Sequence, residues 1–131
     1  MSYNPKIKKY IQSLHALSQS TDDYLFVWDI KQDRNWFFGE IDAEFAIRLN
    51  GSLENTTEQM LSVVHPNDKE ALVADLTQIR RGEKKLHDMN YRWVNRLGRP
   101  VWINCRGNVI DDEDGTPMVL LGRVSRASFE N

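Results

Sequence analysis

Cysteine is nearly absent from this sequence: Cys105 is the single one among 131 residues. One cysteine excludes an internal disulfide and any metal site built from several cysteines. Long apolar runs are missing as well, since none approaches the ~20 residues that cross a bilayer, and the first residues lack the apolar core of a signal peptide. We therefore expect a cytoplasmic domain without direct membrane contact, although a longer parent protein could carry a membrane anchor elsewhere.

An excess of positive charge is also lacking, because 17 lysines and arginines face 19 aspartates and glutamates, for a net charge of -2. Binding to a nucleic-acid backbone calls for a clustered basic face, so we expect no nucleic-acid partner. The sequence shows no Ser/His/Asp set, no glycine-rich phosphate loop and no paired catalytic carboxylates. We expect one domain with one core and no catalytic activity.

The three histidines and one acidic run are poor candidates for metal ligands. His65 precedes a proline, and we expect it to cap the following helix together with Asp68, because the first amides of a helix lack partners. His15 and His87 are predicted to be surface residues without a second ligand at suitable spacing. Residues 111–115, rich in aspartate, lack the regular ligand series of a calcium loop and predict a hairpin turn. We expect no bound metal.

Apolar residues at helical spacing predict an amphipathic helix over residues 5–19, with Pro5 in its first turn. Lys6, Lys8 and Lys9 lie off the apolar stripe. A membrane-surface helix is the weaker interpretation because the stripe is short, so we expect the helix to lie on a sheet or on a second copy of the chain. The stripe consists of Ile7, Tyr10, Ile11, Leu14 and Leu17.

Residues 24–29 and 35–39 predict two strands, because aromatic and β-branched residues dominate both and a polar turn joins them. Residues 41–49 predict a short helix that stops at the Asn-Gly pair 50–51. The Thr-Thr-Glu-Gln sequence at 56–59 indicates a capping box at the start of another helix.

A longer helix begins at Pro66 and ends before Gly82. Residues 88–94, 101–106 and 117–124 predict three strands joined by two short turns. The order of a helix, a hairpin, short helices and three strands favours an α+β fold, in which an antiparallel sheet carries helices on one face.

Short motifs run through these elements in a specific order: Val27-Trp28-Asp29, His65-Pro66-x-Asp68, Tyr91-Arg92, Gly98-x-x-x-Trp102-Ile103, Asp112-x-x-Gly115-x-Pro117 and Leu121-Gly122. Together they resemble the PAS domain, in its variant with a C-terminal (PAC) motif. The resemblance covers about residues 22–128. Each motif is weak by itself, but the set and its order are specific.

This resemblance implies a PAS fold, with a five-stranded antiparallel sheet, short helices on one face and a cavity between them. It implies a sensory domain, covalently linked to an output domain and acting by ligand- or partner-dependent rearrangement. The aromatic sequence of the strands is most similar to PAS domains attached to GGDEF-type diguanylate cyclases of bacteria. The alternative is an unliganded dimerisation module of a histidine kinase or a cyclic-di-GMP phosphodiesterase. We divide the chain into an N-terminal helix (1–20), the PAS domain (21–126) and the start of an output linker (127–131).

The end of the chain departs from the pattern of the family. PAS domains often end in Asp-Ile-Thr, and this chain has Arg126 where the aspartate would stand. The sheet therefore cannot be coupled to its output through that carboxylate.

The resemblance also bears on cofactors, because some PAS domains hold flavin or haem. The light-sensing flavin class places Asn, Asn and Gln where this chain has Trp93, Ile103 and Val124, and the Asn-Cys-Arg sequence at 104–106 lies in a strand instead of the helical region. Haem needs an axial ligand, for which His65 alone lies in the helical region. We expect neither flavin nor haem, and an unidentified small molecule stays open.

Alternation along the strands divides the predicted sheet into two faces. The inner face encloses either a filled core or a small-molecule cavity, since alternation does not reveal volume. The cavity candidates are Trp36, Phe45, Tyr91, Trp93, Ile103, Cys105 and Val124. The other face is too apolar to lie bare, and we expect the N-terminal helix to cover it, from the same chain or from the partner in a homodimer. This docking face combines the helix stripe with Val94, Trp102, Val119 and Leu121.

Overall fold

The computed structural model describes residues 5–45 and 54–127. Its elements, in chain order, are α1 (Pro5–Leu17), β1 (Tyr24–Asp29), β2 (Arg34–Phe38), α2 (Ile41–Glu44), β3 (Glu54–Asn55), α3 (Thr57–Leu61), α4 (Pro66–Arg80), β4 (Leu86–Val94), β5 (Pro100–Asp111) and β6 (Pro117–Arg126). A 3-10 turn, Ser18–Ser20, follows α1. The helix predicted over residues 41–49 ends earlier, at Glu44, because Phe45 is extended. The predicted stop at residues 50–51, and Leu49 before it, lie outside the described residues.

The strands form one antiparallel sheet in the order β3-β2-β1-β6-β5-β4. Five strands of at least five residues confirm the expected five-stranded sheet, and the two-residue β3 extends one edge. The first strand and the last strand pair at the centre, so that both ends of the sheet-forming chain meet in the middle of the sheet.

Helices α3 and α4 begin as their sequences predict, with one correction. Thr56 and Gln59 form a complete capping box at the start of α3. His65 caps α4, because its Nδ1 accepts a hydrogen bond from the amide of Asn67 at 3.1 Å. The expectation that Asp68 also caps α4 is wrong. Its carboxylate instead binds the guanidinium of Arg92 on β4 through two hydrogen bonds of 2.9 Å, a stronger, charge-assisted pairing.

The two faces of the sheet carry separate apolar clusters, as strand alternation predicts. The inner cluster lies between the sheet and α2, α3 and α4, and it includes Trp28, Phe37, Leu72, Tyr91, Trp93, Ile103 and Leu120. The outer cluster lies between the sheet and α1, and it includes Ile7, Leu25, Val27, Trp36, Phe38 and Val119. Helix α1 thus packs on the outer face of the sheet, where strand alternation predicts an apolar surface.

One glycine is required where β5, β6 and β1 lie side by side. A Cβ at Gly122 would stand 2.3 Å from the carbonyl oxygen of Arg106 and 2.6 Å from the ring of Phe26. Since neither the strand backbone nor a ring buried at 4% exposure has room to move, the Leu-Gly motif of β6 reflects close packing.

Among residues 5–45 and 54–127, no helix combines the length and the apolar character that crossing a membrane requires.

Candidate functional site

The inner face of the sheet lines a small cavity of about 30 Å³ beneath α3 and α4. Its walls come from the sheet and both helices: Phe26, Trp28, Asn35, Phe37, Thr57, Met60, Leu72, Leu76, His87, Tyr91, Trp93, Cys105 and Leu120. A cavity of about 10–15 Å³ is enough to hold one water molecule, whereas pockets for drug-sized ligands measure about 300–1,000 Å³. The interior is therefore largely filled by side chains, with space for water and not for a drug-sized ligand.

Aromatic rings account for the filling. The Trp93 ring meets Phe45 edge-on at a centroid distance of 5.2 Å and Phe37 at 6.0 Å. Tyr24 in turn meets Phe45 edge-on at 6.4 Å. These T-shaped contacts are favourable geometries for aromatic pairs, so the rings form a continuous row from the cavity to Tyr24 at the start of β1.

The predicted cavity residues divide into three groups. Tyr91, Trp93 and Cys105 line the cavity. Phe45, Ile103 and Val124 belong to the same inner cluster but line a separate open cleft of about 290 Å³ beside the end of β6.

Trp36 is the exception, and its assignment to the cavity is wrong. It pairs with Val27 in the register of β1 and β2 and lies in the outer cluster under α1. Its neighbour Phe37 occupies the inner face. The error is one of register, because a shift of one residue along a strand reverses the face.

A buried polar cluster that the sequence does not predict lies at the wall of the cavity. His87 is 2% exposed, so its assignment to the surface is wrong. Its Nδ1 lies 2.6 Å from Asp75 Oδ2 on α4, and Lys84 Nζ donates to the other carboxylate oxygen at 2.5 Å. We call these three residues the His87 cluster. Strand alternation gives a signal for the burial of His87, since residue 87 lies an even number of positions before Tyr91 and so on the same face of β4.

The charges in this cluster follow from its burial. Burial lowers the pKa of His87 below its usual 6.5, although the hydrogen bond to Asp75 opposes the shift. Burial alone would raise the pKa of Asp75, but hydrogen bonds from Lys84 and His87 outweigh it and hold that pKa below the ordinary value. At neutral pH the cluster therefore consists of a carboxylate, an ammonium and a neutral imidazole.

The other titratable groups of the cavity are neutral. Burial raises the pKa of the Cys105 thiol to about 12, and burial also raises the pKa of the Tyr91 hydroxyl well above its ordinary value. A thiol reacts through its thiolate, so Cys105 behaves as a small apolar residue. Two buried donors, Asn35 Nδ2 and Trp93 Nε1, find no hydrogen-bond acceptor within the described part of the chain.

A second residue that sequence reasoning missed is Asp33, in the turn between β1 and β2. It adopts a φ of 54°, a left-handed conformation that aspartate tolerates in turns. Its carboxylate accepts hydrogen bonds from Trp28 Nε1 at 3.1 Å and from Thr57 Oγ1 at 2.5 Å. Asp33 thus ties the β1–β2 turn to the start of α3 at one end of the cavity.

On the outer face, α1 covers one half of the sheet. Ile7 is fully buried, while Tyr10, Ile11 and Leu14 pack on the same cluster as Val119 and Leu121. Leu17 does not dock on the sheet of its own chain, because it is 56% exposed at the end of the helix; its predicted role in a dimer contact stays a prediction.

The half of the outer face formed by β4 and β5 does not dock α1. Val94 and Trp102, on β4 and β5, lie outside the cluster that α1 covers. Trp102 is 41% exposed, and the guanidinium of Arg92 stands 5.0 Å above its ring. The helix docks over β2, β1 and β6, since Ile7 and its neighbours meet the apolar residues of those strands.

The acidic turn between β5 and β6 holds the start of α1. Asp112 accepts hydrogen bonds from Lys6 Nζ at 2.9 Å and Lys31 Nζ at 3.2 Å, and Glu113 lies 3.3 Å from Lys6. The hydrogen bond from Lys6 is the main reason why the pKa of Asp112 lies well below its ordinary value. The hairpin turn expected at residues 111–115 is confirmed, and the structure adds its role as an ionic anchor.

The end of β6 has a different partner. Arg126, in place of the aspartate common in the family pattern, forms an ion pair with Glu44 of α2. The Tyr24 hydroxyl lies 3.5 Å from the same carboxylate oxygen. The end of β6 is thus joined to α2 through a positive charge on β6, at the position where the Asp-Ile-Thr pattern has a negative one.

The described residues contain no group of three or more His, Cys, Asp and Glu side chains arranged to hold a metal ion.

Comparisons with known proteins agree with this architecture. The sequence matches the family model of the PAS fold over residues 48–124, more than half of the chain. No curated protein matches it significantly.

Solved structures resemble the fold at low sequence identity. The N-terminal domain of a diguanylate cyclase with PAS/PAC sensor from Marinobacter aquaeolei is 23% identical, with a TM-score of 0.67 over 79% of this chain and 94% of that chain. A sensory box histidine kinase/response regulator from Burkholderia thailandensis is 19% identical, with a TM-score of 0.63 over 85% and 81%. A LOV protein from Rhodobacter sphaeroides is 10% identical, with a TM-score of 0.66 over 92% and 68%.

Proposed function

The chain belongs to the PAS fold family, and on that premise we propose that it is a non-catalytic sensory domain that regulates a diguanylate cyclase within a larger bacterial signalling protein. The proposal divides the chain into an N-terminal helix (1–20), the sensory domain (21–126) and the start of a linker to the output domain (127–131). It also includes a cytoplasmic location and a homodimeric state.

The observation that carries the proposal is the position of β1 between two apolar clusters. Phe26 and Trp28 belong to the inner cluster around the cavity, whereas Leu25 and Val27 lie beneath α1. Because protein interiors are close-packed, a shift of β1 that follows a change at the cavity must also change the surface on which α1 lies. The sheet can thus pass a rearrangement from its interior to the N-terminal helix.

The small cavity limits how such a rearrangement begins. A space of about 30 Å³ admits a water-sized molecule, so a larger ligand must first displace side chains such as Met60 or Leu76. A ligand biases the output only by the difference in its affinity for the two arrangements. The same nearly filled interior favours the second candidate function, an unliganded module that dimerises or docks a partner in a histidine kinase or a phosphodiesterase.

The diguanylate cyclase output is supported by the similar domain from Marinobacter aquaeolei and by the aromatic sequences of the strands. The proposed dimer is supported by Trp102, which is 41% exposed beside Arg92 on the half of the outer face that lies outside the cluster beneath α1. Tryptophan and arginine dominate the binding energy of many interfaces.

Native mass spectrometry over a dilution series tests the proposal. We expect a dimer at micromolar concentration, and a retained additional mass would favour the ligand-sensing route over the unliganded module. Trp102→Ala should weaken the dimer at least tenfold, whereas Leu97→Ala, which truncates a 78% exposed residue at a hairpin tip, should leave it unchanged. A bare monomer at every concentration, with α1 equally protected from hydrogen exchange in wild type and both variants, would contradict both candidate functions.

A further inference from the structure

The His87 cluster contains a titratable group that the proposed function does not use. His87 lies on β4 and Asp75 on α4, and the 2.6 Å hydrogen bond between them joins the helix above the cavity to the sheet below it. The same ring forms part of the cavity wall. A change in the protonation of His87 would therefore act on the contact between α4 and β4 and on the cavity at once.

The hydrogen bonds define the neutral form of the ring. Asp75 is the only hydrogen-bond partner of the imidazole among the described residues, so Nδ1 carries the proton and donates it, and Nε2 is an unprotonated acceptor. The Asp75 carboxylate is already balanced by Lys84, whose Nζ lies 2.5 Å from its second oxygen. The neutral ring thus completes a cluster without net charge.

We propose that His87 makes this domain a proton sensor, in which protonation of the buried imidazole in mildly acidic solution loosens α4 from β4. Protonation would place a second positive charge on a carboxylate that Lys84 already neutralises, and burial of an unbalanced charge is costly. It would also turn Nε2 into a donor in a cavity wall where Asn35 Nδ2 already lacks an acceptor. Both costs are relieved when α4 moves away and water enters.

One carboxylate besides Asp75 acts on His87 among the described residues. Asp88 follows it on β4, and its charge also favours the protonated ring, but this carboxylate is exposed on the opposite face, with one oxygen 3.9 Å from Arg106. On β5, the register partner of His87 is Gly107, which has no side chain. Tyr91 and Cys105 share the cavity wall and are neutral, because burial raises the pKa of each. Asp75 and Lys84 are therefore the charged groups on the buried side of the ring.

Burial supports the same direction, since it lowers the pKa of His87 despite the attraction of Asp75. The other link between α4 and β4, the bidentate pair of Asp68 and Arg92, contains no histidine. It should keep the first turn of α4 attached while the turn around Asp75 opens. The inference rests on the proposed function only for the signal that leaves the domain, because the protonation and the opening are properties of this chain alone.

The test is a pH titration of the intact domain from pH 8 to pH 5. NMR of the imidazole nitrogens gives the pKa and the tautomer of each histidine, and hydrogen exchange gives the opening of α4 after correction for the intrinsic pH dependence of exchange. Linkage requires the opening equilibrium of α4 to increase tenfold for each unit by which the pKa of His87 lies below 6.5. We expect the amides around Asp75 to lose protection by this factor, while those of β1 do not.

Two variants separate this effect from general acid destabilisation. His87→Asn retains a donor near the position of Nδ1 without the titration, and it should abolish the pH-dependent opening of α4. His15→Asn removes an exposed histidine that contacts Phe38 and should leave the opening intact.

Three results would overturn the proposal: a His87 that does not titrate before the domain unfolds, a titration without loss of α4 protection, or an opening that persists in His87→Asn. If that variant does not fold, the wild-type titration decides by itself, because the pKa and the loss of protection must agree. A change in dimerisation or ligand binding would leave these results untouched, so failure of the proposed function is distinguishable.

Discussion

Truncation of Ile7 tests whether α1 belongs to the folded domain or merely lies near it. Ile7 is fully buried in the outer cluster, with Leu25, Val27 and Trp36 among its members. An Ile→Ala change at a buried site costs about 2–5 kcal/mol, through lost transfer energy and the cavity left behind. Because α1 is a terminal helix that can detach, we expect about 2–3 kcal/mol for Ile7→Ala, with the loss limited by the free energy that holds α1 on the sheet.

The matched control is Leu17→Ala in the same helix, because Leu17 is 56% exposed. Surface changes of this kind usually alter stability by less than about 0.5 kcal/mol, and alanine favours the helix. Hydrogen exchange of the α1 amides measures the local opening, and urea unfolding measures the global stability. Ile7→Ala should expose α1 to exchange at least tenfold more than Leu17→Ala does.

Equal and small effects of the two substitutions would refute the reasoning, since they would mean that Ile7 is not buried against the sheet. A high salt concentration provides a second control. It should weaken the pairing of Lys6 with Asp112 through screening, but it should not reduce the difference between the two variants, which depends on apolar burial.

Three further predictions follow from single contacts. Asp68→Asn should lower stability by about 1–3 kcal/mol, since it weakens both charge-assisted hydrogen bonds to Arg92, and an unchanged urea midpoint would contradict that role. Gly122→Ala should cost about 3 kcal/mol, because its Cβ would stand 2.3 Å from a strand carbonyl. The control, Gly98→Ala, meets no atom within 4 Å and strains only a φ of 78°, so equal losses for both in thermal unfolding would argue against the clash. His87 is protonated near pH 6.5 in the unfolded chain and only at lower pH in the folded protein, because burial lowers its pKa. The free energy of unfolding should therefore be highest above pH 6.5, and it should fall by about 1.4 kcal/mol per unit of pKa difference as the pH drops to the pKa of the folded protein. A urea midpoint that is constant from pH 7 to pH 5 would refute this.

The elements and their faces were predictable because they depend on local rules. The period-2 pattern of β4 and β5 placed Tyr91, Trp93, Ile103 and Cys105 on the inner face, and the structure agrees. The capping box at Thr56 and the cap at His65 were equally visible, since both depend on residues within a few positions of each other.

The predictions for single side chains failed where contacts with residues distant in the sequence determine the position of the side chain. Asp68 has the right position for a helix cap, but the guanidinium of Arg92 lies within reach across the fold and binds the carboxylate more strongly. His87 has no local feature that marks it as buried, because Asp75 and Lys84 satisfy it only once α4 lies on the sheet. The sequence of β2 does not decide which of the neighbours Trp36 and Phe37 faces the interior, since both are large aromatic residues.

The family, the antiparallel sheet and the amphipathic helix are predictable from the residues alone, because motifs, turn residues and hydrophobic periodicity are properties of neighbouring positions. The folded structure is needed to show that α1 covers half of the outer face and leaves Trp102 exposed, that the interior retains about 30 Å³, and that a histidine shares its carboxylate with a lysine beside that cavity. Volume, coverage and charge balance depend on how distant side chains fill the same space, and periodicity along the chain does not contain that information.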